Sequence, residues 1–289
     1  MLVFRNKIFR IFVVAFAILI LAWVLVFIEG QQKFLEIDFY DVGQGDAIFI
    51  ETPDKKQVLV DGGPDLSILE KLGKGMPFWD RYIDLIILTH PEYDHIGGLI
   101  EVIKRYKVGG ILTTGVIRDT AEYKEWAKII NEEEIPVIVA QAGKIIDLGS
   151  NIKLFIIYPF ENLSGQKIKK ANNSSIVTQL TYKNFELLLT GDIEKKVEKE
   201  LTNNLPIGGL ESEVLKIAHH GSKTSSIDEF IKVVNPLVAV IQAGKDNSYG
   251  HPHQSVLDRL RNITTFVTGR DGDIEILTNG NSFKINTTK

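Results

Sequence analysis

The chain has 289 residues, of which 44% are hydrophobic and 24% are charged, as in ordinary globular proteins. This length fits one large domain or two smaller ones. Cysteine is absent, so disulfide bonds and thiolate metal ligands are excluded. The formal net charge is −4, and it is −6 without the segment 1–30, which carries three basic side chains and one acidic side chain. Binding to nucleic acid would therefore require a local basic patch or a metal.

The N-terminal segment, 1–30, differs in character from the rest. Three basic residues precede an unbroken apolar run over residues 11–28, and Glu29 follows it. A run of this length can span a bilayer as one helix, and the basic residues before it place the N-terminus in the cytoplasm. The sequence therefore predicts a single-pass membrane anchor over residues 1–30, with the remainder outside the cytoplasm. A cleaved signal peptide is the alternative.

Residues 33–289 are predicted to form one α/β domain. Three short strands over residues 34–60 form a meander that ends in Asp61-Gly62-Gly63. From residue 84 onward, strands and helices alternate in two successive halves, and no linker divides them. This order fits an αββα sandwich, in which two sheets pack together and helices cover both outer faces.

The strongest chemical signal is His90-Pro91-Glu92-Tyr93-Asp94-His95, which lies between an apolar strand and the start of a helix. Imidazoles and carboxylates at this density suit zinc, manganese or iron. Capping of the helix is the purely structural alternative. Two more clusters also follow predicted strands: Asp192 ends one strand, and His219-His220 ends another. His251 and His253 form another pair. All six histidines therefore lie in three places, the hexapeptide and these two pairs, which favours a functional site.

The hexapeptide resembles the HxHxDH signature of the metallo-β-lactamase superfamily, with Glu92 where the second His is expected. The segments DVGQGDAIFI, HPEYDHIGGL, NNSSIV, LLLTGD, LKIAHHGSKTSS and NSYGHPH occur in the order seen in the C-terminal hydrolase domain of the ComEC competence-protein family. The resemblance extends from about Phe34 to the end of the chain. It implies a metal-dependent phosphodiesterase or nuclease that acts on DNA outside the cell membrane. Similar signatures occur in surface phosphorylcholine esterases.

The resemblance also implies a ligand set for one or two divalent metal ions, either Zn²⁺ or Mn²⁺. Asp94, His95 and His220 would hold one ion, and Asp192 would be shared with the second. The second ion would use His90 and Glu92.

The usual third His of that second site falls near Asn172 or Asn173. An oxygen-rich second site should be weaker, which favours manganese there or a single tightly held ion.

The remaining roles follow from the same resemblance. His219 would act with Asp94 in catalysis, because adjacent side chains at a strand end point to opposite faces and His220 is the ligand. Asp61 would orient a metal-bound His from behind. Further residues that support the site or contact substrate are Asn173, Ser222, His251 and His253. A structural role is equally open for one of the last two.

Partners and substrate stay open at this level. Lys167, Lys169 and Lys170 lie in a polar loop that either is solvated or meets a phosphate backbone. Expected partners are the membrane, DNA and a separate membrane channel, since only one spanning segment is predicted. The alternative functions are hydrolysis of a non-nucleic substrate, such as a phosphorylated cell-wall polymer or a small ester, and a non-catalytic binding module. The sequence gives no oligomeric state.

Overall fold

The computed structural model describes residues 12–23, 34–205 and 208–289. The chain divides into two units, Met1–Lys33 and Phe34–Lys289. In the first unit, residues 12–23 form a helix, α1, whose side chains are exposed. Within the described ranges, no helix combines the length and the apolar character needed to cross a membrane. The predicted anchor also includes residues outside these ranges, so it stays a prediction.

The second unit contains two large β-sheets. The strands of the first sheet are β1 (Leu35–Phe39), β2 (Ile48–Glu51), β3 (Gln57–Val60), β5 (Leu85–Leu88), β7 (Ile111–Thr113), β8 (Val137–Val139), β16 (Ile274–Thr278) and β17 (Phe283–Thr287). Their spatial order is β17-β16-β1-β2-β3-β5-β7-β8. A separate two-stranded ribbon pairs β4 (Tyr82–Ile83) with β6 (Lys107–Val108).

The second sheet has seven strands. They are β9 (Ile145–Asp147), β10 (Ile152–Tyr158), β11 (Val177–Tyr182), β12 (Phe185–Leu189), β13 (Val214–Lys216), β14 (Val238–Ile241) and β15 (Thr264–Val267). Their spatial order is β15-β14-β13-β12-β11-β10-β9. The predicted hairpin between β11 and β12 is present, and Lys183 takes the left-handed conformation in its turn, with φ of 54°.

The central core lies between the two sheets. Alternate residues of β1, namely Leu35, Ile37 and Phe39, are buried there together with residues of the second sheet such as Leu187 and Val240. This alternation is the period-2 pattern of a strand with one face in the core.

Helices cover the outer faces. The first sheet is covered by α2 (Ser67–Gly75), α3 (Tyr93–Ile103) and α4 (Ala121–Glu132), and the second by α5 (Lys195–Asn204), α6 (Asp228–Val234) and α7 (Gln254–Arg259). A short helix, α8 (Thr268–Asp271), precedes β16. The αββα sandwich predicted from the sequence is confirmed.

Neither α2 nor α5 is predicted from the sequence. The inward face of α5 has only Val197 and Leu201 as buried apolar residues, one turn apart, and its other positions are mostly charged or polar. Helix α2 includes Gly73 and Gly75, which lower its intrinsic helix propensity. Both helices are therefore stabilised by packing on the sheets rather than by a strong local pattern.

The sheet topology gathers the polar motifs at one edge. Strands β3, β5 and β7 run parallel to one another, and β12, β13 and β14 do so in the other sheet. Loops after the carboxyl ends of such strands form the usual ligand-binding crevice of α/β proteins. The segments at residues 61–63, 89–95, 190–192 and 218–222 are four of these loops.

Candidate metal centre

The hexapeptide enters the first turn of α3, which is held against its neighbours by close backbone contacts. A Cβ atom on Gly45 would overlap the carbonyl oxygen of Asp94, and one on Gly98 would overlap that of Gly62. The backbone N–H of Gly62 also donates to the carbonyl of His95 at 2.9 Å. These contacts fix the depth at which Asp94 and His95 stand in the crevice.

Four side chains converge on a single point. Ligand atoms of Asp94, His95, Asp192 and His220 all lie within 4.8 Å of one another. Asp192 is central, because its Oδ2 lies 3.3 Å from Nε2 of both histidines. Nε2 of His220 is also 3.2 Å from Oδ2 of Asp94. All but Asp94 are buried.

Each of the two histidines is oriented by its other ring nitrogen. Nδ1 of His95 is 2.7 Å from Oδ2 of Asp61, and that carboxylate also accepts hydrogen bonds from the backbone and hydroxyl of Thr89. Nδ1 of His220 donates to the carbonyl of Gln242 at 2.8 Å. Both rings therefore carry a proton on Nδ1, so Nε2, which faces the crevice, is the atom that would bind a metal after losing its own proton. Asp61 lies where the sequence predicts it.

The turn after β13 has an unusual backbone that the sequence does not reveal. His219 and His220 have φ of 52° and 53°, so both are left-handed, and Gly221 follows with φ of 77°. Left-handed backbone at two successive residues other than glycine is strained. Because of this turn, the expected divergence of the two side chains does not occur: both imidazoles line one pocket.

His90 stands beside the four-residue cluster. Its Nε2 lies 4.0 Å from Oδ2 of Asp192, and its Nδ1 lies 3.1 Å from the hydroxyl of Thr89. Among the described residues, Nε2 of His90 and of His95 are buried with no hydrogen-bond partner. Buried ligand atoms without partners are costly unless an ion or a water satisfies them. The donor set therefore fits a divalent cation.

The histidines and the carboxylates of the crevice balance one another's charge. Burial alone would lower the pKa of His95 and His220, but Asp192 and nearby carboxylates raise the pKa of both rings well above its ordinary value. Burial works the other way on Asp192, and His220 and His95 nevertheless lower the pKa of that carboxyl. Burial and His95 together lower the pKa of His90 to about 3. A metal must therefore displace protons from two rings in order to bind.

A buried ion pair beneath the cluster is missed by the sequence analysis. Lys216 and Asp46 are each 1% exposed and form a close ion pair. The Lys216 ammonium also donates to the carbonyl of Gly191 at 3.1 Å, next to Asp192. A lone Lys inside the apolar run of β13, and the Asp that ends DVGQGD, were the available signals, but each has ordinary explanations by itself.

Glu92 points to a different partner from the predicted one. Its Oε1 lies 2.9 Å from Nη2 of Arg118, and its carboxylate is outside the group of four convergent ligands. It does line the pocket that contains those ligands. Its role as a metal ligand stays a prediction.

Asn172 and Asn173 have their side chains in different environments. The amide of Asn172 lies 3.1 Å from Nε2 of His219 and lines the pocket, and Nδ1 of His219 lies 3.1 Å from the hydroxyl of Thr224. Asn173 instead exchanges hydrogen bonds with Glu194. The structure therefore brings Asn172 to the pocket, and it does not place Asn173 there.

The remaining predicted residues also separate. His251 lines the pocket, and burial together with His220 and His219 lowers its pKa to about 4. His253 caps α7 by accepting a hydrogen bond from the backbone of Ser255, so its position favours the structural alternative. Ser222 is buried behind the pocket, where its hydroxyl contacts that of Thr224.

Comparison with known proteins agrees with this geometry. Residues 40–245 match the Metallo-beta-lactamase superfamily. The chain belongs to this superfamily. Its fold is shared with Igni18, a metallo hydrolase from Ignicoccus hospitalis, with a TM-score of 0.51 at 14% identity, over 89% of this chain and 100% of that chain.

Among curated proteins, the chain is homologous to competence proteins. It is 32% identical over 260 residues to ComE operon protein 3 of Bacillus subtilis (strain 168), and the aligned region covers 83% of this chain and 32% of that protein. It is 28% identical over 284 residues to Recombination protein 2 of Haemophilus influenzae, which covers 94% of this chain and 32% of that protein. The chain thus spans about a third of the length of these relatives. The chain is a metallo-hydrolase with the metallo-β-lactamase fold.

Proposed function

We propose that the protein is a metal-dependent phosphodiesterase that cleaves DNA outside the cytoplasmic membrane, to which its N-terminal segment tethers it. The observation that carries the proposal is the convergence of Asp94, His95, His220 and Asp192 in an open polar pocket. One of the relatives, Recombination protein 2 of Haemophilus influenzae, is named for recombination, which is a process of DNA. A separate membrane channel would be the partner of this chain.

The chemistry is divided among the pocket residues. A divalent ion, Zn²⁺ or Mn²⁺, would be held by the four convergent residues, with His90 beside a second, weaker position. When bound, it would supply a water-derived nucleophile near neutral pH. Asp192 contacts Nε2 of both His95 and His220 and so keeps the two rings directed at one point. We assign the action on the substrate oxygen to His219, which lines the pocket with Nε2 beside Asn172 and whose pKa is lowered by burial. Nε2 accepts from the amide nitrogen of Asn172 in this structure, so the ring would first take up a proton there and then give it to the leaving oxygen.

A second candidate is the hydrolysis of a non-nucleic substrate, such as a phosphorylated cell-wall polymer or a small ester. The acidic balance of the domain, with a net charge of −6 once the segment 1–30 is set aside, favours it. The purified full chain should therefore be tested on labelled single- and double-stranded DNA and on bis-p-nitrophenyl phosphate, with Mn²⁺ or Zn²⁺. Cleavage of the small diester without DNA supports the second candidate. Cleavage of neither supports a binding module.

The tether is tested separately. Protease added to intact cells should remove the hydrolase domain from a chain whose N-terminal segment, 1–30, remains in the membrane. Protection of the domain in intact cells, with full digestion after lysis, would reverse the orientation. Release of the intact domain into the medium would identify a cleaved signal peptide.

A further inference from the structure

A second, shallower cavity adjoins the metal pocket. Three of its seven lining residues are basic, namely Arg118, Lys167 and Lys169, and the others are Ile117, Asp119, Thr120 and Ile168. Lys167 and Lys169 are both exposed. The one carboxylate in this group, Asp119, forms an ion pair with Lys124. The cavity is therefore cationic on a domain whose overall charge is negative.

Arg118 connects the two cavities. Its Nη2 lies 2.9 Å from the carboxylate of Glu92, which lines the metal pocket, and its Nη1 donates to the carbonyl of Ile168 at 3.3 Å. These two contacts hold the Arg118 side chain in place, and with 22% of it exposed it is still open to a ligand. A guanidinium that binds a carboxylate has the geometry to bind a phosphate.

The loop that carries the lysines is fixed against the segment that follows β7. The backbone N–H of Ile117 donates to the carbonyl of Gln166, and that of Gly165 donates to the carbonyl of Gly115, both at 2.9 Å. The two lysines are thus presented from an ordered segment next to Arg118. This arrangement lowers the entropic cost of binding an extended anion.

The rim of the metal pocket also carries an exposed aromatic ring. Tyr249 is 70% exposed and lines the pocket. Its ring lies nearly parallel to that of His251, with an interplanar angle of 21° and a centroid distance of 5.8 Å. Single-stranded nucleic acid is bound by aromatic rings on which bases stack, together with a cationic groove that follows the backbone. The metal pocket carries Tyr249 in its lining and meets the cationic cavity at Glu92, which contacts Arg118.

We infer that a single polynucleotide strand crosses the metal pocket, with one base stacked on Tyr249 and a neighbouring backbone phosphate bound by Arg118, Lys167 and Lys169. This inference rests on the proposed phosphodiesterase function and specifies the substrate as a flexible strand. Asp192 and both of its histidine neighbours are buried, so a scissile phosphate must leave the surface to reach them. A single strand can bend in this way at lower cost than a duplex.

The test is binding of a 5′-fluorescein 12-nucleotide DNA strand to the full chain in detergent, with EDTA present so that nothing is cleaved. Fluorescence anisotropy is recorded across a salt series. Lys167→Gln combined with Lys169→Gln should weaken binding about tenfold and should flatten the salt slope by about 0.7 for each phosphate that is no longer neutralised. The matched control, Lys232→Gln combined with Lys284→Gln, removes the same charge from exposed positions elsewhere and should leave both quantities unchanged.

The aromatic contact is tested in the same assay. Tyr249→Ala should weaken binding about tenfold at all salt concentrations, and Tyr249→Phe should restore it, because stacking needs the ring and not the hydroxyl. Equal loss in the lysine double variant and its control, or wild-type binding by Tyr249→Ala, overturns the inference. Tighter binding of a 12-base-pair duplex than of the strand also overturns it. Since no cleavage is measured, the inference can fail while DNA hydrolysis is observed, and it can stand while hydrolysis is absent.

Discussion

The two sides of the metal pocket differ in how closely their ligand atoms converge. On one side, Asp94, His95 and His220 meet around Asp192, and both imidazoles are held from behind by buried acceptors. On the other side stands His90, whose nearest contact with that carboxylate is 4.0 Å.

The residues that would complete the second side have other partners. Glu92 is bound to Arg118, and the amide of Asn172 is directed to His219. A preorganised ligand set binds without further ordering, whereas a set that must first break an ion pair loses part of its binding free energy. The difference between the two sides therefore predicts one tight metal position and one weak one, and titration of the metal-free chain should show two unequal steps.

The largest effect should come from Asp192, which both sides share. Asp192→Ala should abolish binding at the tight position and weaken it further at the other, and it should lower turnover about a thousandfold, since the three remaining ligands lose the residue that they share. Metal per protein by mass spectrometry and hydrolysis of bis-p-nitrophenyl phosphate measure this. Asp258→Ala, an exposed Asp on α7, is the control. Retention of one tight ion would show that the strong side does not depend on Asp192.

The next effect separates two adjacent residues on the strong side. His220→Asn should lose tight metal, and at metal concentrations of 100 times the dissociation constant the free energy of unfolding should fall by about 2.7 kcal/mol. His219→Asn should keep the metal and lose about a hundredfold in turnover. Asn is used because it tolerates the left-handed backbone of both positions. Metal loss in His219→Asn alone would exchange the two roles.

A smaller effect should follow from loosening the support of the strong side. Asp61→Asn keeps the shape of the side chain but weakens its charge-assisted hydrogen bond to His95. Metal affinity should fall about 10- to 100-fold, which is the usual scale for a residue that orients a ligand. Isothermal titration of the chelator-treated chain measures the change. An unchanged affinity would mean that packing alone orients His95.

The smallest effect should come from strengthening the weak side. Glu92→His places an imidazole where relatives with the HxHxDH signature have one, and it removes the ion pair with Arg118. Affinity at the second step should rise at least about tenfold, or about 1.4 kcal/mol. Glu92→Gln, which also breaks the ion pair but adds no imidazole, should not give this gain. An equal gain in both variants would assign the weakness to Arg118 instead of to the missing ligand.

The sequence predicts the strong side because its ligands follow apolar strands. The edge formed by parallel strands brings such residues together, and the resemblance to the metallo-β-lactamase superfamily is what named Asp94, Asp192 and His220 as ligands. The sandwich was predictable for the same reason, from alternating strands and helices. Helices α2 and α5 were not, since packing on a sheet decides them.

What the sequence could not give is the identity of distant partners. The pairing of Lys216 with Asp46 joins residues far apart in the chain, and each looks ordinary in its own segment. The choice between Asn172 and Asn173 depends on the short 3₁₀ turn Ala171–Ser174, which points the two amides in different directions. Likewise, the left-handed turn at His219 and His220 has no local signal apart from the following Gly221.

The pairing of β1 with β16 has a consequence for how the chain is made. Leu35, near the start of the domain, pairs with Thr278, close to its end. During synthesis, β1 therefore leaves the ribosome long before its neighbour exists, and one side of it stays unpaired until the last strands emerge. Such an open edge can recruit strands from other chains, and pairings this distant in sequence form slowly. A chain truncated before β16 should consequently accumulate as aggregate rather than as a smaller active domain.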